Sequence, residues 1–167
     1  MDLKGSCHCG KVTFTCKSHT PYPYMRCYCH LCRKTAGGGG YSINIMAQAG
    51  SLDVKGKENT SVYQWNKNKD KPNSEPDLSE NYRHFCTTCA SFLWAFDPSY
   101  PEWIYPFASA IDTELPVPDI DTCIFLESKP KWAAGSDEKP GPKQLHFDKY
   151  PNDSIEQTHK KNGWWVQ

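Results

Sequence analysis

Nine cysteines in a chain of 167 residues carry most of the chemistry this sequence offers. Seven of them fall into three tight groups, Cys7-x-Cys9, Cys27-x-Cys29-x-x-Cys32 and Cys86-x-x-Cys89, while Cys16 and Cys123 stand alone. Two thiolates one or two residues apart in a tight turn can point at one ion, and tetrahedral zinc with Zn–S bonds of about 2.3 Å takes such turns in pairs. Nine is odd, so the thiols cannot all pair internally as disulfides, and their clustering favours metal ligation. Seven sulfurs divide into four plus three. A closed four-thiolate set is structural, whereas a three-ligand zinc keeps one position for water or substrate.

Charge decides which chemistry suits the three-thiolate centre. Three thiolates leave a divalent ion with a net negative charge, so bound water is acidified less than at histidine-rich sites, where its pKa is about 7. Thiolate exchange fits better: a substrate thiol loses its proton, takes the fourth position and attacks an electrophilic carbon, or departs as a C–S bond breaks. Nearby cations would help, and Arg26, Arg33 and Lys34 flank the middle cluster. Arg33 and Lys34 are either part of the site or simply solvated. His30, between two candidate ligands, is a general acid or base, a hydrogen-bonding neighbour of a ligand, or an extra ligand. His8 and His84 adjoin the other clusters and read as neighbours of ligands or exposed groups. The run Gly37 to Gly40 either lets backbone N–H groups approach a carboxylate or is a flexible turn.

The elements that position these residues read as strands. Short alternating or apolar runs bounded by Gly, Pro, Asn and Asp predict a mainly β, antiparallel fold with few short helices. Strands are predicted at 11–16, 41–46, 61–65, 82–85, 91–96, 103–108 and 123–127. Val12, Phe14 and Cys16 alternate with polar residues, so Cys16 is expected to face a core as a small hydrophobe, and Cys123 opens an apolar run with the same expectation. Tyr41, Ile43 and Ile45 are expected to share one core-facing side. The polar stretch from Asn66 to Asn81 reads as a solvated loop, or as a lid over the open centre. From Gly135 onward, Pro140-Gly141-Pro142 and polar residues suggest a tail wrapping the domain, with Trp164-Trp165 docked on it.

Composition bounds the partners. Lys plus Arg and Asp plus Glu both total 19, so the net charge is zero, and the basic excess of a nucleic-acid binder is missing. Aromatic residues make up 13% of the chain, which disordered chains lack, so a buried core is expected. The chain opens Met1-Asp2-Leu3-Lys4-Gly5-Ser6 without an apolar leader, and no apolar run approaches the roughly 20 residues that cross a bilayer. A cytoplasmic protein without a membrane partner is the expectation, with thiols kept reduced.

Gly5-Ser6-Cys7-His8-Cys9-Gly10, then Cys27-Tyr28-Cys29-His30-Leu31-Cys32-Arg33-Lys34 with Gly37, then Arg83-His84-Phe85-Cys86-Thr87-Thr88-Cys89, and finally Lys129-Pro130-Lys131-Trp132 stand in this order. That order resembles the glutathione-dependent formaldehyde-activating enzyme family, which also takes in centromere protein V-like proteins. The resemblance spans Leu3 to Trp132 and implies an Mss4-like β fold over residues 3–132, followed by the tail at 133–167. It implies two zinc ions per chain, a structural one on Cys7, Cys9, Cys86 and Cys89 and a catalytic one on Cys27, Cys29 and Cys32. It further implies a carbon–sulfur lyase acting on a small-molecule thiol adduct of the S-(hydroxymethyl)glutathione type, with His30 and Arg33 as candidate catalytic side chains. A zinc-stapled binding module without catalysis is the alternative. Three positions depart from the family pattern. Tyr28 stands where His is common, His30 where Ser or Thr is frequent, and Ala90 where Gly usually supplies a positive φ.

Overall fold

The computed structural model describes residues 1–35, 38–133 and 143–167. Gly37 of the glycine run, and Gly135 with Pro140-Gly141-Pro142 of the tail, lie outside the described residues. In chain order the first half carries β1 (Asp2–Ser6), β2 (Thr13–Lys17), β3 (Met25–Cys27), α1 (His30–Thr35), β4 (Ser42–Ile43), β5 (Ala47–Gln48), β6 (Asp53–Lys55) and β7 (Thr60–Tyr63). The second half carries β8 (Tyr82–Cys86), β9 (Phe92–Phe96), β10 (Trp103–Pro106), β11 (Asp121–Ile124), β12 (Gln144–His146) and α2 (Ile155–Lys161). The fold is mainly β, with cysteine turns at the strand ends, as expected of the Mss4-like type.

Among the described residues three sheets build it, in the orders β1-β2-β6, β5-β10-β9-β8-β7 and β12-β11-β3-β4. β2 alternates exposed and buried positions, which puts Phe14 and Cys16 inward as the polar–apolar period requires. Leu3, Val12, Phe14, Ile45, Leu93, Ile104 and Phe107 form the centre of the main core. Each such side chain taken from water contributes about 1.5–3 kcal/mol. Cys16 joins that core, and burial pushes its thiol up to about 11, so it packs as a hydrophobe.

Two expectations needed correction. The predicted strand at 41–46 is divided: β4 pairs with β3 in the third sheet and β5 pairs with β10 in the second. Between them Asn44 bridges Phe107 and Met46 bridges Thr20. Because the chain crosses from one sheet to another here, the expected alternation fails. Ser42, Ile45, Met46 and Ala47 are buried, while Tyr41 and Ile43 are only half-buried. The third sheet also departs from antiparallel pairing, since β11 lies parallel to both β3 and β12.

The stretch 66–81 forms an arch whose feet are tied, with Asn66 bridging Leu78 and the Ser79 amide donating to the Trp65 carbonyl at 2.7 Å. Its crown, residues 71–78, is exposed. At the C-terminal end β12 extends the third sheet, and Trp164 is buried with its ring stacked 4.9 Å from Tyr22. Trp165 stacks on His19 at 4.9 Å. No helix of the described residues is long and apolar enough to cross a membrane.

Candidate metal centres

The first cluster is made by two tight turns. After β1, the Gly10 amide donates to the Cys7 carbonyl at 3.0 Å and Gly10 takes a φ of 76°, closing a knuckle around Cys7 and Cys9. After β8, the Ala90 amide donates to the Cys86 carbonyl at 2.8 Å, and Ala90 takes a φ of 58° to close the second knuckle. The positive φ that sequence reasoning attached to this position is present, on a residue that carries a Cβ. Sγ of Cys7 lies 3.5 Å from that of Cys9, and Sγ of Cys9 lies 3.8 Å from that of Cys86. All four thiols lie within 4.8 Å of one another. A tetrahedron of Zn–S bonds of about 2.3 Å spaces its sulfurs about 3.8 Å apart, so this donor set fits such an ion. Amide donation supports it: Val12 N–H reaches Cys7 Sγ at 3.3 Å, and the Ser91 hydroxyl and amide hold the Cys89 thiol down near 5.

The second cluster is assembled from β3 and α1. Cys27 ends β3, Cys29 lies in the short link, and Cys32 is in the first turn of α1. The Cys32 amide donates to Cys29 Sγ at 3.4 Å, and the three thiols lie within 4.8 Å of one another. Among the described residues no fourth Cys, His, Asp or Glu ligand atom joins them. Cys27 and Cys32 are buried against Ile124, Met25, Phe125 and Phe147, while Cys29 is partly open. Three thiols this close cannot share a charge equally. Cys29 and Cys32 drive Cys27 up, while hydrogen bonds from Cys27 and Cys29 hold Cys32 near 2 against its burial, with help from the Arg83 charge and Ser42. Three thiols packed this closely are the soft donor set a thiophilic cation takes.

The flanking residues divide. His30 begins α1, half-buried, with its ring edge-on to Trp65 at 5.1 Å and a buried Nε2 that has no hydrogen-bond partner. Arg33 and Lys34 line a cleft of about 760 Å³ with Thr35, His8, Ser91 and Asp112, between α1 and the knuckles of the first cluster. None of the second cluster's thiols lines that cleft. Arg26 is committed elsewhere, paired with Asp121 at 2.8 Å and lying over the Tyr41 ring at 5.4 Å. His8 is exposed, and His84 stacks on Trp94 at 4.9 Å, its pKa lowered by burial and then by Lys57. Burial raises the Cys123 thiol, and Cys123 packs with Tyr28 and Ala133, apart from both ligand sets. Within the glycine run, Gly40 has a φ of 86°, and a Cβ there would collide with Ala133, while Gly38 lines the cleft.

Sequence reasoning missed three side chains beside the second cluster. Arg83 from β8 donates to Cys32 Sγ at 3.4 Å. Its only sequence signal was its place in the motif before Cys86. Tyr150 meets Phe125 edge-to-face at 4.8 Å, on a segment that parallel pairing of β12 with β11 brings in, which no local pattern announces. Trp65 covers His30 from the foot of the arch.

Comparison with known proteins agrees with this geometry. A family model described as "Glutathione-dependent formaldehyde-activating enzyme" matches residues 2–120. A Halomonas elongata protein named for that activity is 47% identical over 165 residues, covering 98% of both chains. A crystal structure of a Rhodobacter sphaeroides protein, a structural-genomics target, superposes with a TM-score of 0.51 at 26% identity, covering 68% of this chain and 91% of that one. With both cysteine sets assembled and the match running through each of them, the chain belongs to the glutathione-dependent formaldehyde-activating enzyme family.

Proposed function

We propose that this protein is a zinc-dependent carbon–sulfur lyase acting on a small thiol adduct, with glutathione as the default thiol. The observation that carries the reading is the inequality of the two clusters: four thiols within 4.8 Å in one, and three in the other with no fourth ligand atom among the described residues. In this reading Cys7, Cys9, Cys86 and Cys89 hold a structural ion, and Cys27, Cys29 and Cys32 hold the catalytic one. When bound there, zinc offers a substrate sulfur a fourth coordination position and stabilises it as a thiolate.

The chain's own residues supply the rest. For an S-hydroxymethyl adduct, the S–C bond breaks with its electron pair going to sulfur, while the carbinol O–H loses its proton and becomes the aldehyde C=O. The same proton returns to sulfur when the thiol leaves, so the products are thiol and aldehyde. His30, whose buried Nε2 has no hydrogen-bond partner, is the assigned proton carrier. Phe125 packs an apolar face against the cluster, and the exposed Tyr150 ring meets Phe125 edge-to-face. Arg33 and Lys34 give the cleft beside α1 two cations suited to a thiol that bears carboxylates. The names of the matching family and relative point to the same substrate class.

The test is exchange between formaldehyde and glutathione, followed by NMR with metal-loaded protein. The parent should speed interconversion well above the uncatalysed rate. Arg33→Ala should raise KM for glutathione about tenfold with kcat little changed, because the lost contact binds ground and transition states alike. Fully loaded protein that leaves exchange at the uncatalysed rate for glutathione and for other small thiols would contradict the lyase reading and favour a binding module.

A further inference from the structure

Arg83 sits on β8 and is only 6% exposed, a burial that a guanidinium rarely accepts without an anionic partner. Among the described residues no carboxylate supplies one, since the ion pairs there engage Arg26, Lys67, Lys69, Lys160 and Lys161. Its terminal nitrogens turn to α1 instead. Nη2 donates to Cys32 Sγ at 3.4 Å and Nη1 donates to Thr35 Oγ1 at 3.4 Å. Cys32 and Thr35 are three residues apart and so share a face of the helix, which lets one planar fork hold both. The guanidinium carbon rests 5.6 Å from the centroid of the Phe107 ring, which closes the other side.

We infer that Arg83 is the charge-compensating and positioning residue of the three-cysteine centre, its guanidinium offsetting the negative charge of the ligand set while its fork fixes Cys32 on α1. This rests on the proposal that the centre holds zinc. Three thiolates exceed the charge of a divalent ion by one, and a substrate thiolate would raise the surplus to two. One buried, permanently protonated cation in direct contact with a ligand sulfur removes one unit of that surplus where the dielectric is low and the effect large. A charged N–H donor also draws electron density from the sulfur it binds, leaving more of the ion's acceptor strength for a fourth ligand. Among the described residues the other basic side chains flanking the cluster do not do this: Arg26 is paired with Asp121, and Arg33 and Lys34 line a cleft that none of the three thiols lines. Strand β8 thereby serves both centres. Cys86, three residues on, is a ligand of the first cluster, so the knuckle that fixes Cys86 also sets how far Arg83 reaches toward Cys32.

The experiment is zinc release from the full-length holoprotein to a competing chromogenic chelator, which reads affinity and needs no turnover. The parent should release a weakly and a tightly held zinc. Arg83→Gln should weaken the weak site at least tenfold and leave the tight site alone, and Arg83→Lys, which keeps the charge, should stay within about threefold of the parent. Unchanged release from Arg83→Gln would overturn the inference, and so would an Arg83→Lys as defective as Arg83→Gln. Should Arg83→Gln fail to fold, Thr35→Val removes the second anchor without touching the charge. It is expected to loosen the weak site two- to fivefold, and no change would overturn the assignment. A parent with a single zinc sinks the metal reading itself, whereas a two-zinc parent indifferent to all three variants sinks only the role of Arg83.

Discussion

At the scale of single residues, Ala90 is a local conflict in the first cluster. Its counterpart in the other knuckle is Gly10, at φ 76°, and Ala90 adopts nearly the same backbone at φ 58° with a Cβ attached. A side chain in this region costs about 1 kcal/mol relative to glycine, and a Cβ built on Gly10 meets nothing within 4 Å, so backbone conformation alone sets that cost. Ala90→Gly is therefore expected to stabilise the protein by about 1 kcal/mol and Gly10→Ala to destabilise it by a similar amount, measured by urea unfolding in saturating zinc. Equal midpoints for Ala90→Gly and the parent would remove strain from the account. The cysteines were legible because each pair is local: a turn of two or three residues sets its geometry whatever the rest of the chain does. Arg83 was not legible in the same way. Its partner Cys32 is 51 residues away, and only the packing of β8 against α1 brings the two together.

At the scale of elements, strands that bury one face against a core announced themselves by alternation, as β2 does, whereas β3 and β12 did not. These are three-residue strands in a parallel ladder, and neither carries a polar–apolar period of its own. The C-terminal helix is clearer once its surroundings are known. Ser154 and Gln157 form a reciprocal capping box that starts α2, and His159 on its inner face is fully buried. Nε2 of His159 accepts the Tyr22 amide at 3.3 Å, which leaves Nδ1 to donate to the Ile155 carbonyl at 2.9 Å, so the neutral ring satisfies both nitrogens. Burial holds its pKa below the ordinary 6.5, against the opposing pull of the Ile155 carbonyl. A histidine depressed on folding contributes stability above its unfolded value, and that stability is lost as pH falls from 6.5 toward the folded value. Amide exchange across Ile155–Lys161 should therefore quicken as pH drops below 6.5, after correction for intrinsic rates. His159→Gln should abolish the pH dependence. Exchange that stays flat in the parent would refute this reading of the helix.

At the scale of the whole molecule, long-range ties do what a larger core would do in a bigger protein. The first cluster joins the turn after β1 to the turn after β8, with Cys9 and Cys86 separated by 77 residues, and so fastens the first sheet to the second. The second cluster sits where β3 of the third sheet runs into α1, and Arg83 reaches it from the second sheet. All three sheets thus converge on the two thiol sets. The cysteine spacings exposed this plan in outline. The crossing of the chain between sheets at residues 44–47, and the segment that carries Tyr150, depended on contacts that no window of sequence contains. The account turns on one closed and one open metal centre, and the most direct test is the zinc content per chain of the purified parent and of Cys29→Ser. It predicts two ions in the parent, and one in a variant whose circular dichroism remains that of the parent. One ion in the parent, or a Cys29→Ser chain that unfolds, would contradict it.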